Sequence, residues 1–202
     1  MLGIVVIAVI AALSFAAINF SRVKKLDTGT PLMQEIATAI QEGADTFIRH
    51  EYKTIFTLAI FITVILMILV SWYTGVAFIL GAVMSASAGW FGMKIATLAN
   101  VRVSNMARKT NSLGKTLKVA FQGGSVMGLS VGGFALLGLV LVYYIFGKLL
   151  GQVDVANLTI VKNWLGINFI PFTMTVSGYA LGCSIIAMFD RVGGGIYTKA
   201  AD

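Results

Sequence analysis

Along the chain, long apolar runs alternate with short charged stretches, and the runs are longer than strands or ordinary core helices require. Residues 1–20 carry no charged side chain and end at Arg22, Lys24 and Lys25. Further apolar runs cover residues 55–72, 76–93, 119–146 and 169–189. Each holds close to the roughly 20 residues that a helix rising about 1.5 Å per residue needs to cross the hydrocarbon layer. The pattern therefore predicts five spanning helices, an all-α integral membrane protein. A secretory leader would carry its positive charge ahead of the apolar run and close on a small-residue cleavage site, so residues 1–20 read as a first span. Between 31 and 53, Leu32, Ile36, Ile40, Phe47 and Ile48 recur among Glu35, Glu42, Asp45 and Glu51. That spacing predicts an amphipathic helix able to run on into the second span, with its acids on a solvated face. His50, the single histidine, has no neighbouring nucleophile and is expected at the surface.

Composition agrees with lipid as the solvent. Of 202 residues 58% are hydrophobic and 11% charged, with a mean hydropathy of +0.90, against roughly 45–50% apolar and about 25% charged in soluble domains. A soluble enzyme, a nucleic-acid-binding domain and a disordered chain are excluded. One cysteine, Cys183, allows no internal disulfide and reads as a small packing residue, and metal-binding side chains are too scattered for a zinc site. The net charge of +7 is explained by placement. Segments 21–53 and 94–118 and the tail beyond 189 hold 13 lysines and arginines, whereas the opposite connections, a tight turn at 73–75 and a loop at 147–168, hold only Lys148 and Lys162. Positive charge collects in cytoplasmic loops, which predicts an external N-terminus and a cytoplasmic C-terminal tail. No nucleic acid is needed to account for the cations.

Small residues four apart recur within the spans: Gly124, Gly128 and Gly132 with Ser125 and Gly133 in the fourth, Gly178 and Gly182 in the fifth, Gly81, Ser85 and Gly89 in the third. Such stripes let helix backbones approach closely in lipid, so these helices are expected to lie against others. Two short motifs carry no weight. Gly114-Lys115-Thr116 resembles the end of a phosphate-binding loop, but Lys109 stands where its first glycine belongs and no strand precedes it. Asn157-Leu158-Thr159 has the form of a glycosylation acceptor, a pattern frequent by chance.

The informative stretch is residues 189–202, Phe-Asp-Arg-Val-Gly-Gly-Gly-Ile-Tyr-Thr-Lys-Ala-Ala-Asp. It puts Asp190 and Arg191 at the membrane boundary, where ionisable groups either pair or line a water-filled path, or where an arginine snorkels from an interfacial cap. Three glycines, 193–195, leave backbone amides open to an anion. Lys199 and Asp202, three apart, share a helical face able to present an ammonium to a phosphate oxygen and a carboxylate to a bridging metal.

Residues 191–202 resemble the start of the first catalytic signature of the membrane-integral, ion-pumping pyrophosphatases. Ser85-Ala86-Ser87-Ala88-Gly89 with Ala99-Asn100-Val101-Arg102, Glu42-Gly43-Ala44 before Glu51-Tyr52-Lys53, and Gly124-Ser125-Val126-Met127-Gly128 sit where that family carries similar runs. The resemblance covers essentially the whole chain, and 163–202 looks nearest to the bacterial sodium-transporting branch. It implies a multi-pass cell (inner) membrane homodimer with about sixteen spanning helices per subunit, hydrolysing inorganic pyrophosphate with Mg²⁺ and moving sodium or protons outward, with K⁺ a candidate activator. By the same resemblance Lys199 contacts pyrophosphate, Asp202 belongs to the carboxylates holding magnesium, and Arg191 sits in the ion-pair network coupling hydrolysis to transport.

Against that pattern, the sequence stops at Asp202, where the family continues into further aspartates and helices. One carboxylate cannot satisfy the near-octahedral oxygen coordination of several Mg²⁺ ions. The segment is thus expected to be an N-terminal part of a pump, inert alone. The alternative is a non-catalytic helical membrane subunit or secondary carrier anchored by its basic tail, and a lipid phosphotransferase ranks lower because its acidic clusters are missing.

Overall fold

The structure, a computed structural model, describes residues 2–154 and 160–201, without the side chains at 197, 198, 200 and 201. Five long helices dominate it: α1 (Leu2–Lys24), α2 (Pro31–Leu69), α3 (Trp72–Thr110), α4 (Leu113–Val142, continued by a wider π-helical segment, Tyr143–Leu149) and α5 (Pro171–Ala201). Each is long and apolar enough to cross a membrane, so the chain is a multi-pass, all-helical membrane protein. A two-stranded hairpin, β1 (Val161–Lys162) against β2 (Asn168–Phe169), pairs Val161 with Phe169 between α4 and α5.

The amphipathic stretch and the second span are one helix. Thr30 opens α2 with extended backbone, its hydroxyl accepting from the Met33 amide, and Pro31 supplies a fixed φ at the first helical position. The stripe that packs is Ala37, Ala44, Ile48, Ile55, Ala59 and Thr63, whereas Leu32 and Ile36 are 65% and 53% exposed. Ile48 packs as its spacing predicts, but Leu32 and Ile36 do not: toward its start the close-packed face of α2 is drawn with Ala37 and Ala44.

The turn between α2 and α3 differs from the expected 73–75. The break falls at Val70 and Ser71. Ser71 is extended, its hydroxyl 2.7 Å from that of Thr74, and Trp72 already begins α3. Gly75 lies inside the helix, where a Cβ would come within 2.4 Å of Met67 Cγ, so it serves the close crossing of α2 and α3. Likewise α5 starts at Pro171, because Asn168 and Phe169 are taken by β2.

The two ends of the bundle are held by different chemistry. At one, Asn163 and Trp164 of the hairpin donate to the carbonyls of Leu69 (2.9 Å) and Ile68 (2.6 Å), covering the exposed carbonyl end of α2. At the other, Arg102 of α3 is 7% exposed and donates to three carbonyls: Leu98 at 2.6 Å, Lys24 at 3.0 Å and Leu26 at 3.2 Å. It thereby satisfies the end of α1. One turn further, Asn105 donates to Asp27 O (3.1 Å) and accepts from Arg108 (3.0 Å), while Lys109 pairs with the Asp27 carboxylate. The loop 26–30 is fastened to α3 by this ladder. In the last third of α1, buried Asn19 donates to Ser125 Oγ of α4 at 2.9 Å, a polar contact of the kind that joins helices in lipid.

Candidate functional site

Helix α5 carries the sequence signature, and it has a sealed face and an open one. On the sealed face, a Cβ on Gly178 would lie 2.5 Å from Thr74 O and one on Gly182 would lie 2.1 Å from Phe78 O. Reciprocally, a Cβ on Gly81 of α3 would lie 2.1 Å from Tyr179 O. These glycine pairs meet as their spacing predicts, backbone on backbone. Ser85 Oγ donates to Cys183 O (3.1 Å), Cys183 Sγ to Gly81 O (3.4 Å), and Tyr179 Oη to Ala135 O of α4 (2.8 Å). Cys183 is the packing residue expected of it.

The fourth-span stripe behaves otherwise. Nothing among the described residues lies within 4 Å of a Cβ placed on Gly124, Gly128 or Gly132. The glycines of α4 that make close contacts are Gly123, Gly133 and Gly138, against Ala99, Leu13 and Tyr179. The helix is rotated so that this second set faces the bundle.

Toward the signature end, α2, α3 and α5 converge on two carboxylates. Tyr52 Oη donates to Ala86 O at 2.7 Å. A Cβ on Gly89 would fall 2.2 Å from Asp190 Oδ2 and 3.1 Å from Tyr52 Oη, and one on Gly193 would fall 1.7 Å from Glu51 Oε1. The two glycines thus vacate the volume that the two carboxylates fill. Glu51 Oε2 is buried with no hydrogen-bond partner among the described residues, a costly state for a carboxylate oxygen. Glu51 therefore departs from the expected solvated face. So does Asp45, which pairs with Lys94 of α3 at 2.5 and 2.7 Å, while Glu35, Glu42 and His50 are exposed. A spacing argument could not separate Glu51 from Glu42; the signal lay in Gly89 and Gly193, residues on other helices.

The glycines 193–195 are not an open loop. They lie inside α5, whose helical backbone engages their amides, so the expected anion cradle is not formed there. Arg191 is exposed, with no ion pair among the described residues; its neighbour Asp190 is the residue that turns inward. Leu181, Ser184, Met188, Arg191, Gly195 and Lys199 are all exposed at helical spacing, so Arg191 and Lys199 share the open face of α5, about 12 Å apart along the axis. Asp202 lies outside the described residues. No group of three or more His, Cys, Asp or Glu side chains gathers among the described residues that could hold a metal ion.

The family described as "Inorganic H+ pyrophosphatase" matches residues 10–202. The chain is 69% identical over 193 residues to a "K(+)-stimulated pyrophosphate-energized sodium pump" of Thermotoga maritima, covering 96% of this chain and 26% of that protein. It is 45% identical to a "Putative K(+)-stimulated pyrophosphate-energized sodium pump" of Clostridium tetani, covering 98% and 26%, and 44% identical to a "K(+)-insensitive pyrophosphate-energized proton pump 2" of Moorella thermoacetica, covering 96% and 26%. The chain spans about a quarter of the length of these relatives. With its five membrane-length helices and a family match that runs through the whole of α5, this chain belongs to the inorganic H+ pyrophosphatase family of membrane pumps.

Proposed function

We propose that this chain is the N-terminal part of a pump that couples hydrolysis of inorganic pyrophosphate to outward movement of a cation, and that α5 is its link between the two. The observation that carries the reading is the division of α5: one face locked to α3 by backbone contact, the other presenting Arg191 and Lys199 to whatever stands opposite. Sodium, with K⁺ stimulation, is the favoured ion because the 69% and 45% identical relatives are both named so. The charge distribution supports an external N-terminus and a cytoplasmic signature end; the cell membrane and a homodimeric assembly are part of the reading by family resemblance.

In this reading the Lys199 ammonium neutralises a phosphate oxygen of pyrophosphate, lowering the repulsion that an approaching water meets. Asp202 would hold Mg²⁺ through a carboxylate oxygen, and the ion would supply charge neutralisation and orientation. The rest of the metal shell comes from parts of the polypeptide that the relatives have and this segment does not span, so the segment alone is inactive. Arg191 lies two turns deeper, on the same open face, and passes the occupancy of the site to the ion path by exchanging carboxylate partners between two states. The alternative reading, a helical subunit or carrier without hydrolysis, predicts no pyrophosphate dependence.

The test uses the complete polypeptide in sealed vesicles. Lys199→Ala should raise KM for magnesium pyrophosphate by tenfold or more, about 1.4 kcal/mol of lost binding. Arg191→Ala should lower sodium uptake per pyrophosphate cleaved while sparing part of the hydrolysis. Equal loss of both activities in both variants, at unchanged substrate affinity, would refute this division of roles.

A further inference from the structure

The exposed face of α1 changes character abruptly. Ile7, Phe15 and Ile18 are 68%, 51% and 48% exposed and form an apolar stripe. At the same helical spacing, the stripe then becomes Ser21, Arg22 and Lys25, all exposed. Ala17, Ile18, Ser21, Arg22 and Lys25 together line an open concavity of about 400 Å³. It has an apolar floor continuous with the stripe, and a hydroxyl and two cations at its rim.

The neighbouring cations are already engaged. Lys109 pairs with Asp27 and Lys94 with Asp45, Arg102 is spent on the carbonyls of Lys24, Leu26 and Leu98, and Arg108 on Asn105. Arg22 and Lys25 have no side-chain hydrogen bond or ion pair among the described residues. Nor do their side chains close α1, because Arg102 meets the Lys24 carbonyl and the amides of Lys25 and Leu26 meet those of Ser21 and Val23. Two unpaired cations and a hydroxyl stand where an apolar helix face leaves the hydrocarbon, the depth of lipid phosphates.

We propose that this concavity holds the headgroup of an anionic phospholipid, its phosphate between Arg22 and Lys25 with Ser21 donating, and an acyl chain along Ala17 and Ile18. Charge complementarity selects an anion, and the apolar floor selects a lipid over free phosphate, which would leave that floor wet. The site owes nothing to the hydrolytic reading; it needs only that α1 end at a membrane surface.

The experiment places the complete polypeptide in phosphatidylcholine nanodiscs doped with photoreactive phosphatidylglycerol or, separately, photoreactive phosphatidylcholine, and maps adducts by mass spectrometry. Phosphatidylglycerol should label residues 17–25 several-fold above phosphatidylcholine. Labelling should fall roughly fivefold in Arg22→Gln and in Lys25→Gln, further in the double variant, at about 1 kcal/mol for each cation near the surface. Arg22→Lys should keep most of it, and Lys118→Gln, an exposed cation on the same end of the bundle, should change nothing. Equal labelling by both lipids, no fall in the double variant, full competition by inorganic phosphate, or labelling blocked by a protein segment crosslinked to residues 17–25 would each overturn the proposal.

Discussion

The third and fifth helices and the fourth helix carry similar glycine spacing and use it differently. Between α3 and α5, Gly81, Gly178 and Gly182 bring carbonyl oxygens so near that no methyl group fits. On α4, Gly124, Gly128 and Gly132 repeat the same interval and face open space. A small-residue stripe therefore states that a helix can be approached closely, and only the rotation of that helix decides whether it is. That rotation is set for α4 by contacts beside those three glycines: Asn19 bound to Ser125, Gly133 under Leu13, and Tyr179 over Gly138.

The largest expected effect separates these two regions. Gly182→Leu should prevent normal folding, because the added side chain meets the Phe78 carbonyl and neither backbone can yield; overpacking of this kind costs about 1–3 kcal/mol or more. Gly128→Ala should be neutral or stabilising by roughly 0.5–1 kcal/mol, since alanine is the better helix former where there is room. Thermal unfolding in detergent, run on both, checks the pair; equal destabilisation would mean that the open face of α4 is occupied. Next in size is Arg102→Met, which keeps most of the buried volume and removes three hydrogen bonds, two of them at and just beyond the end of α1. A loss of about 2–3 kcal/mol follows from the worth of a buried charged donor, read as a lower unfolding temperature and faster proteolysis of the loop 26–30.

The smallest effect is electrostatic. The Lys109 ammonium first, then the Gly29 amide, hold the Asp27 carboxyl down to about 2 from its ordinary 3.8. A lowered folded value means that the interaction contributes fully above pH 3.8 and is lost as pH falls through about 2. Asp27 is fully exposed, so salt screens the pair. Asp27→Asn should leave stability near neutral pH almost unchanged and remove only a shallow acid-side dependence in low salt, as followed by unfolding at a series of pH values.

Much of the architecture was legible because it depends on run length and charge, which are properties of stretches. Five apolar runs became five helices, and the amphipathic segment is continuous with the second span, with no proline between Pro31 and Leu69 and Gly43 tolerated inside the helix. What depended on single residues was harder. Ser71 rather than Gly75 breaks α2 from α3, since the glycine was recruited to a crossing with Met67. Toward the start of α2, Ala37 and Ala44 rather than the larger Leu32 and Ile36 mark the packed face. At the site, the burial of Glu51 could not be read from its own stretch of sequence. Its burial is decided by a gap at Gly193, some 140 positions away in the chain. Arg102 counted as one more positive charge until its three carbonyl acceptors were seen.

Helix α2 runs without interruption from Pro31 to Leu69, so about 36 Å of it projects beyond the apolar part that begins at Ile55. A rod of that length is a lever with its fulcrum at the membrane surface. A tilt of only about 5° there sweeps its far tip through roughly 3 Å. Glu51 sits just above the fulcrum, wedged against Gly193, where the same tilt moves it by a fraction of an ångström. Because the loop 26–30 ties that tip to α3 and Asp45 ties the rod to Lys94, any such tilt would have to carry α3 with it.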